Sequence, residues 1–421
     1  MLEHYFIKPD TIDRIQDSWL GAPIEQYVTW LHKQGYTART VIRRVPLLMR
    51  FGEFARSQGA QTLDDLPSYV DRFVSDWGRG RGQNRKSKDA RKEVEKEVRG
   101  PIQHFLCLII PDYHGKGRAR TNLPFLECAP GFFHYLQEEK GLRPGSIRHY
   151  QHYLRLFQEY LTKIKLDHIR ELSPVVLSAF VMDKGRFLSK NTVTSLCASL
   201  RIFLRYLYRE RIISTDLSLH IEKPRKYALS DIPRSISWND VRLMFEVVDR
   251  RSPIGKRDYA VLLLLVTYGL RGGEVAALTL DDIDWKRERI RISERKAGDS
   301  TTYPLTPIIG EAILTYLQKA RPSVSHRSVF CRAVAPHSPL DCHAISNRVS
   351  RYLRKAGVKV ARAGAHTLRH TCVQRLVEAD LPFKTIGDYV GHRSPSSTQI
   401  YTKVSLESLR EVALGDGEDV L

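Results

Sequence analysis

The sequence contains no hydrophobic run long enough to cross a membrane. Its main apolar stretch, VLLLLV at 261–266, is far shorter than the ~20 residues that a membrane-spanning helix needs. The first ten residues, MLEHYFIKPD, also lack the basic, apolar and small-residue regions of a secretory signal. We therefore expect a cytoplasmic protein that does not bind a membrane.

The chain also lacks patterned cysteines and cofactor motifs. Its six cysteines are scattered without a CxxC pair, so we predict no disulfide framework in a reducing compartment. Cys331, Cys342 and His343 come nearest to a metal-ligand set, but their spacing is not that of a zinc site. No GxxxxGK[ST] loop is present, and the acidic segment DDIDW (281–285) is interpreted as a turn. We predict neither a metal nor a nucleotide cofactor.

Acidic residues are the minority among the charged side chains. Lys and Arg number 67 against 47 Asp and Glu, which gives a net charge of +20 and a pI near 9.7. A surplus of this size favours a polyanionic partner. A chain of 421 residues also exceeds one typical core, so two or three domains are expected.

The N-terminal half contains an internal repeat, in which 27–55 aligns with 132–161. Aligned pairs are Gly35/Gly141, Thr40/Ser146, Leu48/Leu154 and Phe51/Phe157. The glycines suit helix C-termini, and the hydroxyl residues can cap the helices that follow. Each copy is predicted to form a helix, a turn, a second helix and a capped third helix. A trailing helix is expected after each copy, at about 86–109 and 190–211.

Three stretches at 79–92, 113–124 and 221–235 are predicted to be linkers. The first is basic, and either contacts phosphates or is a solvated loop. The predicted domains are an extra N-terminal helical domain (1–112), a second helical domain (125–222) and a C-terminal domain (236–421).

The C-terminal domain is predicted to be mixed α+β, in a chain that is otherwise helical. Ser237 and Asp240 flank its first helix start. IRIS (290–293) and TTYPL (301–305) alternate apolar and polar residues around a turn, which indicates a β-hairpin. Further helices are expected at about 255–268, 272–278, 308–320, 342–356, 366–379 and 382–390.

Six residues of this domain have side chains suited to phosphate chemistry. They are Arg271, Lys296, His366, Arg369, His392 and Tyr401, within YGLRGGEVAAL, SERKAGDS, GAHTLRHT, VGHRSPSS and TQIY. Guanidinium forks match phosphate oxygens, and a dense cationic pocket makes a phenol with a pKa of about 10 a usable nucleophile. Glu274, three residues after Arg271, is expected to orient that arginine. The set suits attack on a phosphodiester without a metal.

The order of these residues resembles the catalytic set of the tyrosine recombinase family, which includes phage and transposon integrases and Xer-type recombinases. The resemblance covers roughly 126–405 and is strongest at 264–279 and 364–402. It implies that the second helical domain is a SAM-like, core-binding domain that clamps DNA. The C-terminal domain is then catalytic, and the first helical copy is additional to the minimal family plan.

The resemblance also implies the role of each residue. Tyr401 attacks the scissile phosphate and forms a 3′-phosphotyrosine. Lys296 protonates the leaving 5′ oxygen, with its neighbour Arg295 as a competing candidate. The remaining four residues stabilise charge on the phosphorus. His370 is similar to a histidine of the family motif that is mainly structural.

The expected function is site-specific recombination that integrates or excises a mobile element, since the extra N-terminal copy makes the chain longer than Xer proteins. Xer-type chromosome dimer resolution, a type IB topoisomerase and a non-catalytic DNA-binding regulator remain open. Expected partners are double-stranded DNA at the nucleoid and three further copies in a synaptic tetramer, formed from free monomers or dimers. Sister recombinases are further candidates. A helix at 404–414 could dock in cis or in trans.

Overall fold

The computed structural model describes residues 1–82, 88–111, 113, 115, 123–225, 235–293 and 300–391. These residues form two compact units. The first contains Met1–Thr62, Asp71–Val94 and the described part of Leu229–Leu421, and the second contains Leu63–Val70 and the described part of Glu95–Ala228. Within these described ranges, no helix is both long and apolar enough to cross a membrane.

The N-terminal part of the chain is helical. Its helices are α1 (Pro9–Gln16), α2 (Gly21–Lys33), α3 (Ala38–Ser57), α4 (Leu66–Gly82) and α5 (Lys88–Ile109). Gly35 follows α2 with a φ of 73°, a left-handed conformation that glycine adopts with little strain. Val41, Val45 and Leu48 are buried along α3. Their spacing of four and three residues is that of an amphipathic helix.

The same order of elements returns at 132–209. The second series is α6 (Phe132–Glu138), α7 (Pro144–Lys163), α8 (Pro174–Gly185) and α9 (Lys190–Arg209), which correspond to α2–α5. Gly141 is again left-handed, with a φ of 57°. A short 3-10 turn precedes the third helix of each copy, at Leu63–Asp65 and Ile169–Glu171. Aligned residues that are fully buried in both copies are Leu31/Leu136, Leu48/Leu154 and Phe51/Phe157. The element order and burial therefore agree with the predicted repeat.

The C-terminal part combines helices with one small sheet. Its elements are α10 (Trp238–Glu246), α11 (Pro253–Thr267), α12 (Gly272–Ala277), β1 (Ile283–Asp284), β2 (Arg289–Ile292), β3 (Thr301–Pro304), α13 (Pro307–Lys319), α14 (Cys342–Lys355), α15 (Ala365–Glu378) and α16 (Phe383–Val390). The strands are antiparallel in the order β1-β2-β3, and Ile290 pairs with both Ile283 and Tyr303. The predicted class, mainly α with a mixed α+β C-terminal domain, is confirmed.

Helix α11 lies at the centre of the C-terminal core. It packs against α12, α13, α14 and α15. Leu262, Leu264 and Leu265 are at most 1% exposed, as expected for a helix that is apolar on all sides. The C-terminal end of α11 therefore has a fixed position, and Arg271 follows it four residues later.

A buried ionic network joins α11 to α14. Asp258, 1% exposed, accepts hydrogen bonds from Arg257 (2.7 Å), Arg348 (2.7 Å) and the hydroxyl of Tyr352 (2.9 Å). Burial and the neighbouring Asp258 carboxylate raise the pKa of Tyr352 to about 12. A buried carboxylate is tolerated only when its oxygens are paired in this way. The network holds α14 against the core helix.

Thr40 and Ser146 were wrong as predicted caps, whereas the third helix of the second copy is capped as predicted, by the Ser173 side chain, which accepts from the N–H of Val176 at 3.4 Å. Thr40 and Ser146 lie inside the first turns of α3 and α7, because these helices begin earlier, after Thr37 and Arg143. Neither N-cap makes a side-chain capping hydrogen bond. In α7 the fixed φ of Pro144 suits the first helical position, two residues before Ser146.

Two segments predicted to be irregular are partly regular. The predicted linker 79–92 overlaps α4 as well as α5, whose start agrees with the trailing helix expected from about 86, and 83–87 lie outside the described residues. Within 281–285, interpreted as a turn, Ile283 and Asp284 form strand β1 against β2. A two-residue strand has no alternation that a sequence pattern can show. Most of the linkers 113–124 and 221–235, and the helix expected at 404–414, lie outside the described residues.

Candidate active site

The site is built around a tight turn between α11 and α12. Gly269 has a φ of 59°, in the left-handed region that favours glycine. A Cβ at this position would lie 3.0 Å from Cγ1 of Val390 and 3.2 Å from Sγ of Cys372. Both the conformation and the space therefore favour glycine. The turn delivers Arg271 to the N-cap position of α12.

Arg271 is held by one carboxylate and one backbone carbonyl. Its Nη1 donates to Oε1 of Glu274 at 2.7 Å, and its Nη2 donates to the carbonyl oxygen of Gly391 at 2.9 Å. The backbone N–H of Arg271 donates to the second Glu274 oxygen at 2.8 Å. The Glu274 side chain is 3% exposed and that of Arg271 is 24% exposed. Glu274 thus orients the arginine, as its spacing predicted, while these bonds use two of the five guanidinium donors.

Arg369 reaches the same turn from α15. Its Nη1 donates to the carbonyl oxygen of Gly269 at 2.6 Å, and the residue is 4% exposed. The fold therefore anchors Arg369 to the backbone two residues before Arg271, although the two arginines are far apart in sequence. His366 lies one turn earlier on α15 and is exposed.

Three of the six predicted site residues can be placed. The structure brings Arg271 and Arg369 to one turn and puts His366 on the helix of Arg369. The other three, Lys296, His392 and Tyr401, lie outside the described residues. In the sequence, Lys296 falls between β2 and β3, and His392 directly follows Gly391. The roles of all six residues stay predictions.

Several groups that shape the site were not found from the sequence. The carbonyl groups of Gly269 and Gly391 each accept a hydrogen bond from an arginine side chain. Both glycines have a left-handed backbone, with φ values of 59° and 67°. Their only sequence signal is a glycine one or two positions before a predicted site residue, in YGLR and VGHR. Cys372 packs on the turn and donates to the carbonyl of Thr267 at 3.4 Å. Burial raises the pKa of the Cys372 thiol to about 12, so it is a packing residue rather than a nucleophile.

No group of three or more His, Cys, Asp or Glu side chains that could hold a metal occurs in the described part of the chain. The described site is instead composed of two guanidinium groups, one exposed imidazole and one buried carboxylate. Such a set can bind and polarise an anion such as a phosphate group.

The chain matches two family profiles and several known proteins. The Phage integrase family matches residues 234–407, and the Phage integrase, N-terminal SAM-like domain matches 130–211. A putative integrase/recombinase y4rA of Sinorhizobium fredii is 29% identical over 414 residues, which are 97% of this chain and 98% of that protein. The tyrosine recombinase XerC of Oceanobacillus iheyensis is 30% identical over 290 residues, 66% of this chain and 92% of that protein. A solved XerH site-specific recombinase, in a post-cleavage complex with a palindromic difH substrate, superimposes with a TM-score of 0.54 at 16% identity, covering 83% of this chain and 96% of XerH.

The helical fold, the small sheet and these matches together define the class of the protein as a tyrosine-type site-specific recombinase. Within that class, the chain belongs to the phage integrase family. It is an enzyme of site-specific recombination, as predicted from the order of its site residues. The SAM-like match falls inside the second helical domain that the sequence predicts.

Proposed function

We propose that this recombinase integrates and excises a mobile DNA element through a covalent 3′-phosphotyrosine on Tyr401. The observation that supports it most is the hydrogen bond from Arg369 to the carbonyl of Gly269, two residues before Arg271. It anchors Arg369 to the backbone of the turn that carries Arg271. Each presents a planar fork to phosphate oxygens, so one phosphodiester can be gripped by both.

In the proposed reaction Tyr401 gives up its phenolic proton to solvent and its oxygen attacks phosphorus, so that a bond from the tyrosine oxygen to phosphorus forms as the bond to the 5′ oxygen breaks. Lys296 transfers its proton to that leaving oxygen. Arg271 and Arg369, with His366 and His392, stabilise the charge on the five-coordinate phosphorus. A second 5′-hydroxyl then attacks the phosphotyrosine, restores a phosphodiester and releases Tyr401. Because the covalent intermediate retains the bond energy, no nucleotide cofactor is consumed.

Double-stranded DNA is the proposed substrate, in a synaptic assembly of four protomers that are monomers or dimers when free. The net charge of +20 supports a polyanionic partner, and the XerH structure named above contains its difH substrate. The site of action that we propose is the chromosome in the cytoplasm.

A mobile-element role is favoured over Xer-type dimer resolution by the extent of the matches. The putative integrase/recombinase of S. fredii aligns with 97% of this chain, whereas XerC aligns with 66%. Xer-type resolution is the second candidate. A non-catalytic regulator is not favoured, because the chain belongs to a family of recombination enzymes.

We expect the protein to form covalent DNA adducts in the presence of EDTA. Purified protein is incubated with genomic fragments, denatured with detergent, and the attached DNA is sequenced. Reads that begin at one or a few discrete sites, with protein on the 3′ phosphate, are the expected result. Cleavage that needs a divalent metal, or the absence of any adduct, would contradict the proposed mechanism. The DNA sequence mapped in this way is the substrate in the assays described below.

We further propose that 1–112 is a second DNA-binding domain, beside a core-binding domain at 125–222 and a catalytic domain at 236–421. The first series of helices has the element order of the SAM-like match. On α3, Arg39, Arg43 and Arg50 are exposed at spacings of four and seven residues, which place them along one helix face. Such a basic row can follow the phosphates of a DNA strand.

Deleting residues 1–112 is expected to shorten the protected footprint on a single half-site and to flatten the salt dependence of affinity. Each lost phosphate contact reduces the slope of log K against log salt by ~0.9, because fewer counterions are released. Footprinting and salt titration of residues 113–421 measure both quantities. Full-length protein with Arg39→Ala, Arg43→Ala and Arg50→Ala tests the α3 face alone. An unchanged footprint and slope would instead assign 1–112 to protein contacts.

A further inference from the structure

Three tyrosines from three different elements pack together beside the Arg271 turn. Tyr268 follows the last residue of α11, Tyr303 lies in β3 and Tyr389 lies in α16. The rings of Tyr268 and Tyr303 have centroids 4.8 Å apart, and those of Tyr303 and Tyr389 meet edge to face at 5.2 Å. Tyr268 and Tyr303 are at most 2% exposed.

The hydroxyl groups of these tyrosines form a closed cycle of hydrogen bonds between the three elements. Tyr268 donates to the carbonyl of Pro304 in β3, and Tyr303 donates to the carbonyl of Tyr389 in α16. Tyr389 completes the cycle by donating to the carbonyl of Thr267 in α11 at 3.0 Å. Every bond in the cycle joins a side chain of one element to the backbone of the next.

The cycle adjoins the residues of the candidate site along the chain. Tyr268 precedes the Gly269–Arg271 turn, and Tyr389 lies two residues before Gly391. The carbonyl of Gly391 accepts from Arg271 at 2.9 Å. The position of α16 therefore sets the position of one of the two groups that hold the Arg271 guanidinium.

Helix α16 has little apolar packing of its own to fix that position. It has eight residues, and its fully buried side chains are Ile386 and Val390, which pack with Val373 of α15. Burial raises the pKa of the Tyr389 phenol above its ordinary value, so the hydroxyl remains a donor around neutral pH. Two of the three hydrogen bonds in the cycle involve Tyr389, and both connect α16 to other elements.

We propose that Tyr303 and Tyr389 are positioning residues, which fix the end of α16 so that Gly391 holds Arg271 in the orientation needed for strand cleavage. This inference rests on the proposed role of Arg271. The alternative is that the tyrosines only fill the core, in which case loss of a hydroxyl lowers stability without a specific effect on cleavage.

The test compares Tyr303→Phe and Tyr389→Phe, which remove one hydroxyl each and keep the rings. Tyr316→Phe is the matched control. Tyr316 is 1% exposed in the same core, its hydroxyl accepts from the backbone N–H of Cys331 at 3.2 Å, and its ring stacks on that of Phe330. The single-turnover rate of adduct formation at saturating DNA, the Kd for DNA and the Tm are measured for each full-length variant.

We expect Tyr303→Phe and Tyr389→Phe to slow cleavage by about tenfold, since small displacements of a catalytic group can cost up to ~100-fold. The Kd should be unchanged. Tyr316→Phe should lower the Tm by about as much as Tyr303→Phe and Tyr389→Phe do, and should leave the cleavage rate near that of the wild type. In an Arg271→Lys background, Tyr389→Phe should slow cleavage by a smaller factor than it does in the wild type, because both changes act on the side chain at position 271.

Equal rate losses in Tyr316→Phe and Tyr389→Phe would overturn the inference, as would fully additive effects of Tyr389→Phe and Arg271→Lys. If Tyr303→Phe does not fold, Tyr389→Phe decides alone, because Tyr389 is only partly buried and its loss of a hydroxyl is less disruptive. Wild-type cleavage by Arg271→Lys and Arg271→Ala would count against the proposed function itself. Normal cleavage by the tyrosine variants alongside impaired Arg271 variants would overturn only the positioning role.

Discussion

Tyr401→Phe is expected to bind its DNA site with wild-type affinity and to form no covalent adduct. The substitution removes one oxygen atom, which is the proposed nucleophile, and leaves the aromatic ring and every positive charge in place. Binding depends on many Lys and Arg contacts to phosphates and should not respond. Gel shifts in native conditions report binding, and detergent-resistant complexes report the adduct.

The attachment point of the DNA provides a direct second measurement. Trypsin cuts after Arg393 and Lys403, so the nucleophile lies in the peptide SPSSTQIYTK. Mass spectrometry of nuclease-trimmed adducts should find the nucleotide on this peptide and on its tyrosine. The control is Tyr316→Phe, which should give the same modified peptide as the wild type. DNA attached to any other peptide, or normal adduct formation by Tyr401→Phe, would remove Tyr401 from the mechanism.

Arg271→Ala and Arg369→Ala are each expected to slow strand cleavage by ~10²–10³-fold or more, the usual effect of losing one preorganised donor to a developing charge. The Kd for DNA should change far less, because each variant loses the phosphate contacts of one arginine among many basic residues. Single-turnover cleavage of the mapped site measures the rate. Arg375→Ala is the matched control, because Arg375 lies on α15 as well but rests over the ring of Trp238 at 4.0 Å.

Arg271→Ala is expected to lower the stability of the protein as well as its cleavage rate. Removing Arg271 leaves the buried Glu274 carboxylate without its ion-pair partner, which costs about 3 kcal/mol or more in comparable sites. Arg271→Lys retains the charge without the planar fork and separates the two effects. Its stability should approach that of the wild type while its cleavage stays slow. Near-normal cleavage rates in Arg271→Ala and Arg369→Ala would exclude the two-arginine grip.

Local patterns in the sequence were sufficient to predict most of the catalytic elements. The capping box of Ser237 and Asp240 marks the start of α10, and the alternation in IRIS and TTYPL predicts the pairing of β2 with β3. Both signals lie within a few residues of the structure they specify. Strand β1 escaped prediction, because two residues cannot show a period.

Residue types suited to the proposed chemistry could be identified from the sequence, whereas the contacts that hold them could not. The sequence indicates that Arg271 and Arg369 suit a phosphate. The three-residue spacing between Arg271 and Glu274 predicts the contact between these two side chains. There is no sign in the sequence that Arg369 bonds the carbonyl of Gly269, because the two residues are separated by 100 positions and a backbone acceptor has no residue signature. The tyrosine cycle is hidden for the same reason.

The use of backbone carbonyls to hold Arg271 and Arg369 has a consequence for mutational tolerance. A side-chain partner is lost by one codon change, but no substitution deletes the carbonyl oxygen of Gly269 or Gly391. Alanine scanning is therefore blind to these two acceptors, and only a change of backbone path can remove them. Exchange of the peptide bond for an ester, by semisynthesis, weakens the acceptor without altering any side chain. In random variant libraries the same dependence should emerge as low tolerance at the two glycines, because a side chain disfavours the left-handed backbone that places each carbonyl.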